Sequence, residues 1–200
     1  MDEKEIKVIL LGNSGVGKTS LINVSINQKF LNKDNMATSS GYYVQKTIEF
    51  NGKKYILNLW DTAGQEIYLG ITKLFFKGSE IIIFVYDICA VNSFNDLNKW
   101  IEMVEEIIEN KHICAIVGNK NDLYLDAKIT EAEAKDFAKS KNYLFKLVSA
   151  KTDPKSFNDF LFELIKEYNK LDDDKMVRRK SVRLKPVNNN KKKNDGKCCS

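Results

Sequence analysis

The stretch GNSGVGKTS, residues 12–20, follows the apolar run Val-Ile-Leu-Leu at positions 8–11. It fits the pattern Gly-x-x-x-x-Gly-Lys-Thr, in which a strand passes through a glycine-rich loop into a helix. Such a loop lets a phosphate approach the backbone closely and offers it several N–H donors at the helix start. The pattern therefore predicts phosphate binding, but it leaves base, reaction and biological use open. The predicted contacts are Asn13, Ser14, Gly15, Val16, Gly17, Lys18, Thr19 and Ser20.

Two side chains of this loop have specific expected roles. Lys18 is expected to reach the β- and γ-phosphates of a nucleotide, and the Thr19 hydroxyl to bind Mg²⁺. The alternative is a glycine-rich turn without a ligand. The strand before the loop and the amphipathic helix after it favour the phosphate site.

Asp61-Thr62-Ala63-Gly64 directly follows a second strand-like run, residues 56–60. A carboxylate at a strand end is well placed to hold the metal, usually through water. Gly64 would let a backbone N–H approach the terminal phosphate, and Gln65 stands where an attacking water could be oriented. Alone, Asp-x-x-Gly is common and indicates a turn; about forty residues after Lys18 it supports a nucleotide site.

Asn119-Lys120-Asn121-Asp122 follows the apolar run 113–118. The Asp122 carboxylate can accept two parallel bonds, from the ring N–H and the exocyclic amine of guanine. Adenine offers no such pair and would leave the carboxylate unsatisfied, which costs several kcal/mol. Ser149-Ala150-Lys151, after a further strand, would supply a backbone N–H to the base carbonyl.

These four segments, in this order, resemble a small GTPase of the Ras superfamily, and specifically the Rab family, over roughly residues 5–170. The Rab resemblance rests on residues 60–66 (Trp-Asp-Thr-Ala-Gly-Gln-Glu), 85–87 (Val-Tyr-Asp), 92–94 (Asn-Ser-Phe) and the paired terminal cysteines. It implies a magnesium-dependent switch that binds GTP or GDP and hydrolyses GTP, with Phe30 stacked on the guanine; the alternative for Phe30 is an ordinary core residue.

The chain departs from that family pattern in its first switch, which reads Ala-Thr-Ser-Ser-Gly-Tyr-Tyr at residues 37–43. Thr38 is the predicted ligand of Mg²⁺ and of the γ-phosphate, although it lies one residue further from Lys18 than is common. Ser39 or Ser40 could take the role instead. In the second switch, Ile67 replaces an arginine that many Rabs carry.

Alternating strands and helices predict a single α/β domain with a mostly parallel sheet flanked by helices. The resemblance implies that this is a P-loop GTPase domain with a six-stranded sheet. Residues 6–11, 80–86, 113–118 and 143–148 are expected as buried strands, and residues 43–50 and 54–60 as a hairpin turned at Asn51-Gly52. Apolar side chains mark two helical faces, from Phe94 to Ile108 and from Phe157 to Tyr168. Thr130 with Glu133, and Asp153 with Pro154, are expected helix starts. We expect the domain to span residues 1–172, followed by a disordered basic tail, 173–200.

Charge is unevenly distributed along the 200 residues. Residues 175–197 hold ten Lys or Arg and one Asp, so the net charge of +5 leaves about −4 for residues 1–174. This balance argues against a body that binds nucleic acid. Cys89, Cys114 and His112 lack the spacing of a metal site and are expected to be structural, which fits a reduced, intracellular setting. No stretch is apolar enough for a signal peptide or a membrane span.

The terminal residues Lys197-Cys198-Cys199-Ser200 do not fit a Cys-a-a-X box. They resemble the double-cysteine ends of Rabs, which receive geranylgeranyl groups on both cysteines. Two lipid chains give stable anchoring, and the basic residues before them add attraction to an anionic leaflet. The alternatives are unmodified thiols and basic residues that only solubilise. Ser181, flanked by basic residues, is a candidate phosphorylation site.

The sequence therefore predicts a Rab-type GTPase that regulates vesicle-mediated protein transport on the cytoplasmic face of an intracellular membrane, Golgi or endosomal. The resemblance implies an exchange factor, an activating protein (GAP), a GDP-dissociation inhibitor, an escort protein and effectors as partners of a monomer. One rival is a GTP-binding scaffold whose irregular first switch defeats hydrolysis. An ATP-using phosphotransferase, the other rival, is disfavoured by Asn119 and Asp122.

Overall fold

The protein was analysed as a computed structural model, which describes residues 3–27, 42–62, 76–108 and 112–183. Within these ranges, the side chains of residue 42 and of residues 173–183 are not described. The chain divides into two compact units, Met1–Glu167 and Tyr168–Ser200. The predicted nucleotide site belongs entirely to the first unit.

Six strands of the first unit form one sheet. They are β1 (Glu3–Leu11), β2 (Tyr42–Phe50), β3 (Lys53–Asp61), β4 (Ile81–Asp87), β5 (Ile113–Asn119) and β6 (Leu144–Leu147). Their order is β2-β3-β1-β4-β5-β6, and only the β2–β3 pair is antiparallel. The predicted six-stranded, mostly parallel sheet is confirmed.

Burial explains why the strands take these places. All seven residues of β5 and the first six of β4 are buried, as expected for central strands covered by helices on both faces. In β3, buried and half-buried residues alternate. β2 and β3 join through Asn51 and Gly52, whose φ values of 51° and 73° match the two-residue turn predicted there.

Along the chain, the helices follow β1, β4, β5 and β6. They are α1 (Lys18–Asn27), α2 (Val91–Asn95), α3 (Leu97–Ile107), α4 (Glu131–Ser140) and α5 (Pro154–Arg183), with a 3₁₀ helix at Asn121–Asp126. Thr130 caps α4 by accepting a hydrogen bond from the Glu133 backbone N–H at 3.2 Å. Asp153 caps α5 in the same way, accepting from the Ser156 N–H at 3.2 Å. Both predicted helix starts are confirmed.

The single helical face predicted from Phe94 to Ile108 was wrong in its continuity. The structure divides it into α2 and α3 at Asp96, and Ile108 is extended, with φ −103° and ψ 101°. The Asp96 carboxylate makes no capping bond to α3 and instead bonds across to Asn13. The apolar side chains of both helices still pack into one buried cluster with Ile9 and Phe84.

The last helix extends past the predicted end of the domain. The backbone of α5 is helical to Arg183, whereas the sequence placed the start of a disordered tail at residue 173. The domain boundary stays a prediction, as does the disorder of residues 184–200, which lie outside the described ranges. Among the described residues, no helix combines the length and apolar character needed to cross a bilayer.

Candidate nucleotide-binding site

The loop between β1 and α1 requires glycine at two positions. Gly12 and Gly17 have φ values of 145° and 96°, in the region that L side chains rarely adopt. A Cβ at Gly12 would lie 2.1 Å from the Val85 carbonyl oxygen, and one at Gly17 would lie 2.3 Å from Asn119 Nδ2. The loop is therefore seated directly on the ends of β4 and β5. A Cβ at Gly15 would meet nothing within 4 Å, so this side of the loop is open to a ligand.

Lys18, the first residue of α1, lies inside the loop. Its side chain is 5% exposed, and its ammonium donates to the carbonyls of Gly12 at 2.8 Å and Asn13 at 3.1 Å. A buried cation is tolerated only when it is hydrogen-bonded, and these carbonyls supply the bonds. The loop thus holds one positive charge at the amino end of a helix, where the helix dipole also favours an anion.

Two side-chain oxygen atoms that could bind a metal ion meet beside this loop. The Thr19 hydroxyl donates to Asp61 Oδ2 at 2.6 Å, and Asp61, at the end of β3, is 1% exposed. The parallel pairing of β1 with β3 brings them together, since Leu10 is in register with Asp61. Mg²⁺ prefers hard oxygen ligands and is commonly bound through one or two carboxylates plus substrate phosphates. This donor set, next to a phosphate loop, fits Mg²⁺.

Asn119 connects the phosphate loop to the predicted base-binding segments. It is 2% exposed; its Nδ2 donates to the Val16 carbonyl at 2.9 Å, and its Oδ1 accepts from the Ala150 N–H at 3.2 Å. Both groups of the amide are therefore used. The sequence placed Asn119 among the residues that contact the nucleotide, but gave no sign that its side chain joins three loops.

The Asp122 carboxylate is oriented by Ser149. The Ser149 hydroxyl donates to Asp122 Oδ1 at 2.6 Å and accepts from the Thr152 N–H at 3.0 Å. Ser149 is 4% exposed, whereas Asp122 is half-buried at the start of the 3₁₀ helix. A carboxylate fixed in this way can accept paired donors from a planar base. Ser149 therefore has a positioning role that the Ser-Ala-Lys pattern alone did not indicate.

Lys120 has a left-handed backbone, with φ 67° and ψ 33°, and turns the chain out of β5. Its ammonium donates to Asp87 Oδ2 at 2.6 Å, and the other Asp87 oxygen accepts from the Cys89 N–H at 2.9 Å. Asp87 was not among the predicted site residues. The sequence did carry a signal for it, because Asp87 directly follows the apolar run 81–86, as a carboxylate at a strand end. In the sheet, Asp87 pairs with Asn119 at the end of β5.

Asn13 is held by residues that the sequence analysis missed. Its Nδ2 donates to Asp96 Oδ2 at 2.7 Å, and its Oδ1 accepts from Trp100 Nε1 at 3.2 Å. The hydrogen bond from Lys99, and next that from Asn13, lower the pKa of the Asp96 carboxyl below its ordinary value. The phosphate loop is thus tied to the region where α2 ends and α3 begins.

The structure brings most of the predicted site residues to one edge of the sheet, at the carboxyl ends of β1, β3, β5 and β6. Those residues are Asn13, Ser14, Gly15, Val16, Gly17, Lys18, Thr19, Ser20, Asp61, Asn119, Lys120, Asp122, Ser149, Ala150 and Lys151. The predicted residues that lie outside the described ranges are Phe30, Thr38, Gly64, Gln65, Cys198 and Cys199. Their roles stay predictions.

The sequence is similar to those of known proteins. Residues 7–170 match the sequence model of the Ras family. The chain is 35% identical over 164 residues to the human Ras-related protein Rab-30, covering 80% of each chain. It is 35% identical over 173 residues to the Ras-related protein SEC4 of Saccharomyces cerevisiae, covering 86% of this chain and 79% of the relative. Identity to the Ras-related protein Rab-5A of Dictyostelium discoideum is 30% over 196 residues, covering 98% of this chain and 96% of that one.

Proposed function

The chain belongs to the Ras family, as a small GTPase of the Rab type, and we propose that it binds GTP and GDP with Mg²⁺ and hydrolyses GTP to GDP and phosphate. The observation that carries this proposal is the convergence on Asn119. Its amide contacts Val16 of the phosphate loop at one end and Ala150 of the base-binding segment at the other. A single ligand with a phosphate chain and a purine base would span these two ends.

Each end would recognise a different part of the nucleotide. The loop N–H groups and the Lys18 ammonium would bind the phosphates, since both are hydrogen-bond donors at the amino end of a helix. At the other end, Asp122 would accept from the ring N–H and the exocyclic amine of guanine. The Ala150 N–H is engaged by Asn119 Oδ1, so base-carbonyl recognition by residues 149–151 would have to share that donor or use a neighbouring one.

Hydrolysis would proceed by attack of water on the γ-phosphorus, in line with the bond that breaks. The new bond joins the water oxygen to phosphorus, the electron pair of the broken bond goes to the β-phosphate oxygen of GDP, and the water proton passes to the released phosphate. Lys18 would stabilise charge on the leaving side, and Gln65, Gly64 and Thr38 are the predicted partners of the water and the γ-phosphate. Thr19 and Asp61 would hold Mg²⁺, which would supply positive charge that stabilises the phosphate oxygens.

The part of the chain that carries the predicted nucleotide site has no arginine to stabilise the transition state by itself. The arginines of the chain are Arg178, Arg179 and Arg183, all near the carboxyl end, and residues 1–177 contain none. An arginine finger contributes about 10³–10⁵ in rate. We therefore expect slow intrinsic hydrolysis that an activating protein accelerates by providing an arginine in trans. Full stimulation by an activator whose finger arginine is replaced by alanine would contradict this expectation.

Single-turnover hydrolysis of GTP tests the proposal against the scaffold that binds without cycling. The scaffold reading is motivated by the unusual switch sequence Thr38-Ser39-Ser40-Gly41. The GTP-loaded wild type should form GDP slowly and faster with an activator, whereas Gln65→Leu should stay GTP-loaded under both conditions. A wild type that hydrolyses no faster than Gln65→Leu, with or without activators, would favour the scaffold.

A membrane role follows from the tail by resemblance to Rabs. We propose that Cys198 and Cys199 carry geranylgeranyl groups and that the switch regulates vesicle-mediated protein transport at a Golgi or endosomal membrane. An exchange factor, a GAP, a GDP-dissociation inhibitor, an escort protein and effectors would act on it. Mass spectrometry of cellular protein should find both cysteines prenylated, and a tagged chain lacking residues 198–200 should lose its membrane location. Bare thiols on membrane-bound protein would contradict the lipid anchor.

A further inference from the structure

The side chain of Asn13 connects the phosphate loop to the start of α3. Its amide nitrogen donates to Asp96 at 2.7 Å, and its amide oxygen accepts from the Trp100 indole at 3.2 Å. Its backbone carbonyl accepts from the Lys18 ammonium at 3.1 Å. Asn13 therefore joins the loop, its lysine and the start of α3. We refer to Asn13, Asp96 and Trp100 as the loop clamp.

The chemistry of the clamp requires an amide at position 13. The ionised Asp96 carboxylate only accepts hydrogen bonds, and the Trp100 indole only donates one. Position 13 must therefore offer one donor and one acceptor, which the two ends of an amide provide. An aspartate there would face Asp96 with a second carboxylate at about the same separation.

Asp96 is committed to this contact at the expense of its own helix. It directly precedes α3, the position where an aspartate ordinarily caps the first N–H groups, yet its side chain makes no such bond. One carboxylate oxygen accepts from Asn13 and the other from Lys99 at 2.6 Å. Trp100, one turn further along α3, is fully buried, so the indole is a fixed anchor.

We propose that Asn13 is a positioning residue whose side chain, held by Asp96 and Trp100, fixes the phosphate loop and so sets the rate at which a guanine nucleotide is released. This inference rests on the proposed function. The clamp acts on the phosphate end of the ligand and has no contact with Asp122 or Ser149 among its hydrogen bonds. Loosening it should therefore weaken phosphate binding and leave base recognition unchanged.

The test is the dissociation rate of a fluorescent GDP analogue from full-length protein with excess Mg²⁺. Asp96→Ala removes a charge-assisted hydrogen bond and should release the analogue roughly tenfold faster. Asn13→Asp should release the analogue at least as fast as Asp96→Ala does. The matched control is Asp159→Ala, which also removes a lysine partner, Lys155 at 2.5 Å, but lies on the exposed face of α5, away from the loop clamp. Its rate should stay within about twofold of the wild type.

The charge-swapped double variant, Asn13→Asp with Asp96→Asn, separates positioning from general destabilisation. It restores one donor and one acceptor between the two positions, so its release rate should return to within about threefold of the wild type. The ratio of GDP to GMP affinity, measured by competition, should fall in Asp96→Ala and recover in the swap, because GMP lacks the β-phosphate that the loop holds.

Three results would overturn the inference. The first is release from Asp96→Ala or Asn13→Asp within twofold of the wild-type rate. The second is release from the double variant as fast as from Asn13→Asp, and the third is an Asp96→Ala variant that loses GDP and GMP affinity equally. A wild type that binds no GDP analogue would instead overturn the proposed function itself, and this inference with it.

Discussion

The phosphate end of the candidate site is shaped mainly by backbone groups, whereas the base end is shaped mainly by side chains. At the phosphate end, the shape comes from backbone: Gly12 and Gly17 sit where a Cβ would overlap Val85 or Asn119, and Lys18 bonds to main-chain carbonyls. At the base end, the shape comes from side chains. Ser149 orients Asp122, and the Asn119 amide holds the loops together.

This difference separates affinity from selectivity. Backbone N–H groups and an ammonium attract any phosphate chain, whatever base it carries. A carboxylate fixed by a buried hydroxyl accepts from a base only when the donors match, and a mismatch leaves a polar group unsatisfied. The phosphate end should therefore control how tightly nucleotides bind, and the base end which nucleotide is chosen.

The largest effect is expected from Gly12→Ala. The new Cβ would combine an unfavourable φ of 145° with an approach of 2.1 Å to the Val85 carbonyl, and backbone cannot move away cheaply. The free energy of unfolding should fall by about 3 kcal/mol or more. Urea denaturation measures it, with Gly78→Ala as control, since Gly78 shares a positive φ but a Cβ there meets nothing within 4 Å. Equal losses in the two variants would show that the loop is not seated on β4 as described.

Lys18→Ala should lower affinity without changing selectivity. Removing the buried ammonium should weaken GDP binding by about 3 kcal/mol, roughly a hundredfold. Inosine diphosphate, which lacks the exocyclic amine, should weaken by the same factor, so the ratio of the two affinities is unchanged. Competition against a fluorescent GDP analogue measures both, with the exposed Lys155→Ala as control. A changed ratio would mean that the two ends are not independent.

Asp122→Asn should change selectivity as well as affinity. The asparagine amide places a hydrogen-bond donor opposite the two donors of guanine, so GDP affinity should fall by about 2 kcal/mol, roughly thirtyfold. Inosine diphosphate makes only one of the two bonds and should lose less, which narrows the preference for guanine. The same competition measurement detects this. Equal losses for both nucleotides would remove Asp122 from base selection.

The smallest effect is expected from Ser149→Ala. The variant loses the hydroxyl that orients Asp122 but keeps the carboxylate itself, so GDP affinity should fall by about 1 kcal/mol, roughly fivefold. Ser140→Ala is the control, since Ser140 is exposed and its hydroxyl bonds to the Phe137 carbonyl within α4. If both variants bind GDP like the wild type, Ser149 does not position Asp122.

The fold was largely predictable from sequence because its signals are local. Continuous apolar runs gave the central strands, Asn51-Gly52 gave the hairpin, and Thr130 with Glu133 gave a helix start, each from neighbouring residues. β1 begins three residues before the predicted strand, whereas the other strand bounds, such as β4 at Ile81–Asp87, differ from the prediction by at most one residue.

What the sequence did not predict depends on contacts between distant residues. Asn13 meets Asp96 and Trp100 across separations of 83 and 87 positions, and Asn119 meets Val16 across 103. No periodicity or spacing links such pairs. The break between α2 and α3 was missed as well; it lies at Asp96, whose carboxylate bonds to Asn13 of the phosphate loop and not to the first N–H groups of α3.

Calorimetric titration of the nucleotide-stripped, full-length protein with GDP and with ADP, in the presence of Mg²⁺, tests the central claim most directly. One site that joins a general phosphate end to a guanine-selective base end predicts tight GDP binding, with ADP weaker by at least about a hundredfold. Comparable affinities for the two nucleotides, or no heat with GDP, would contradict the account.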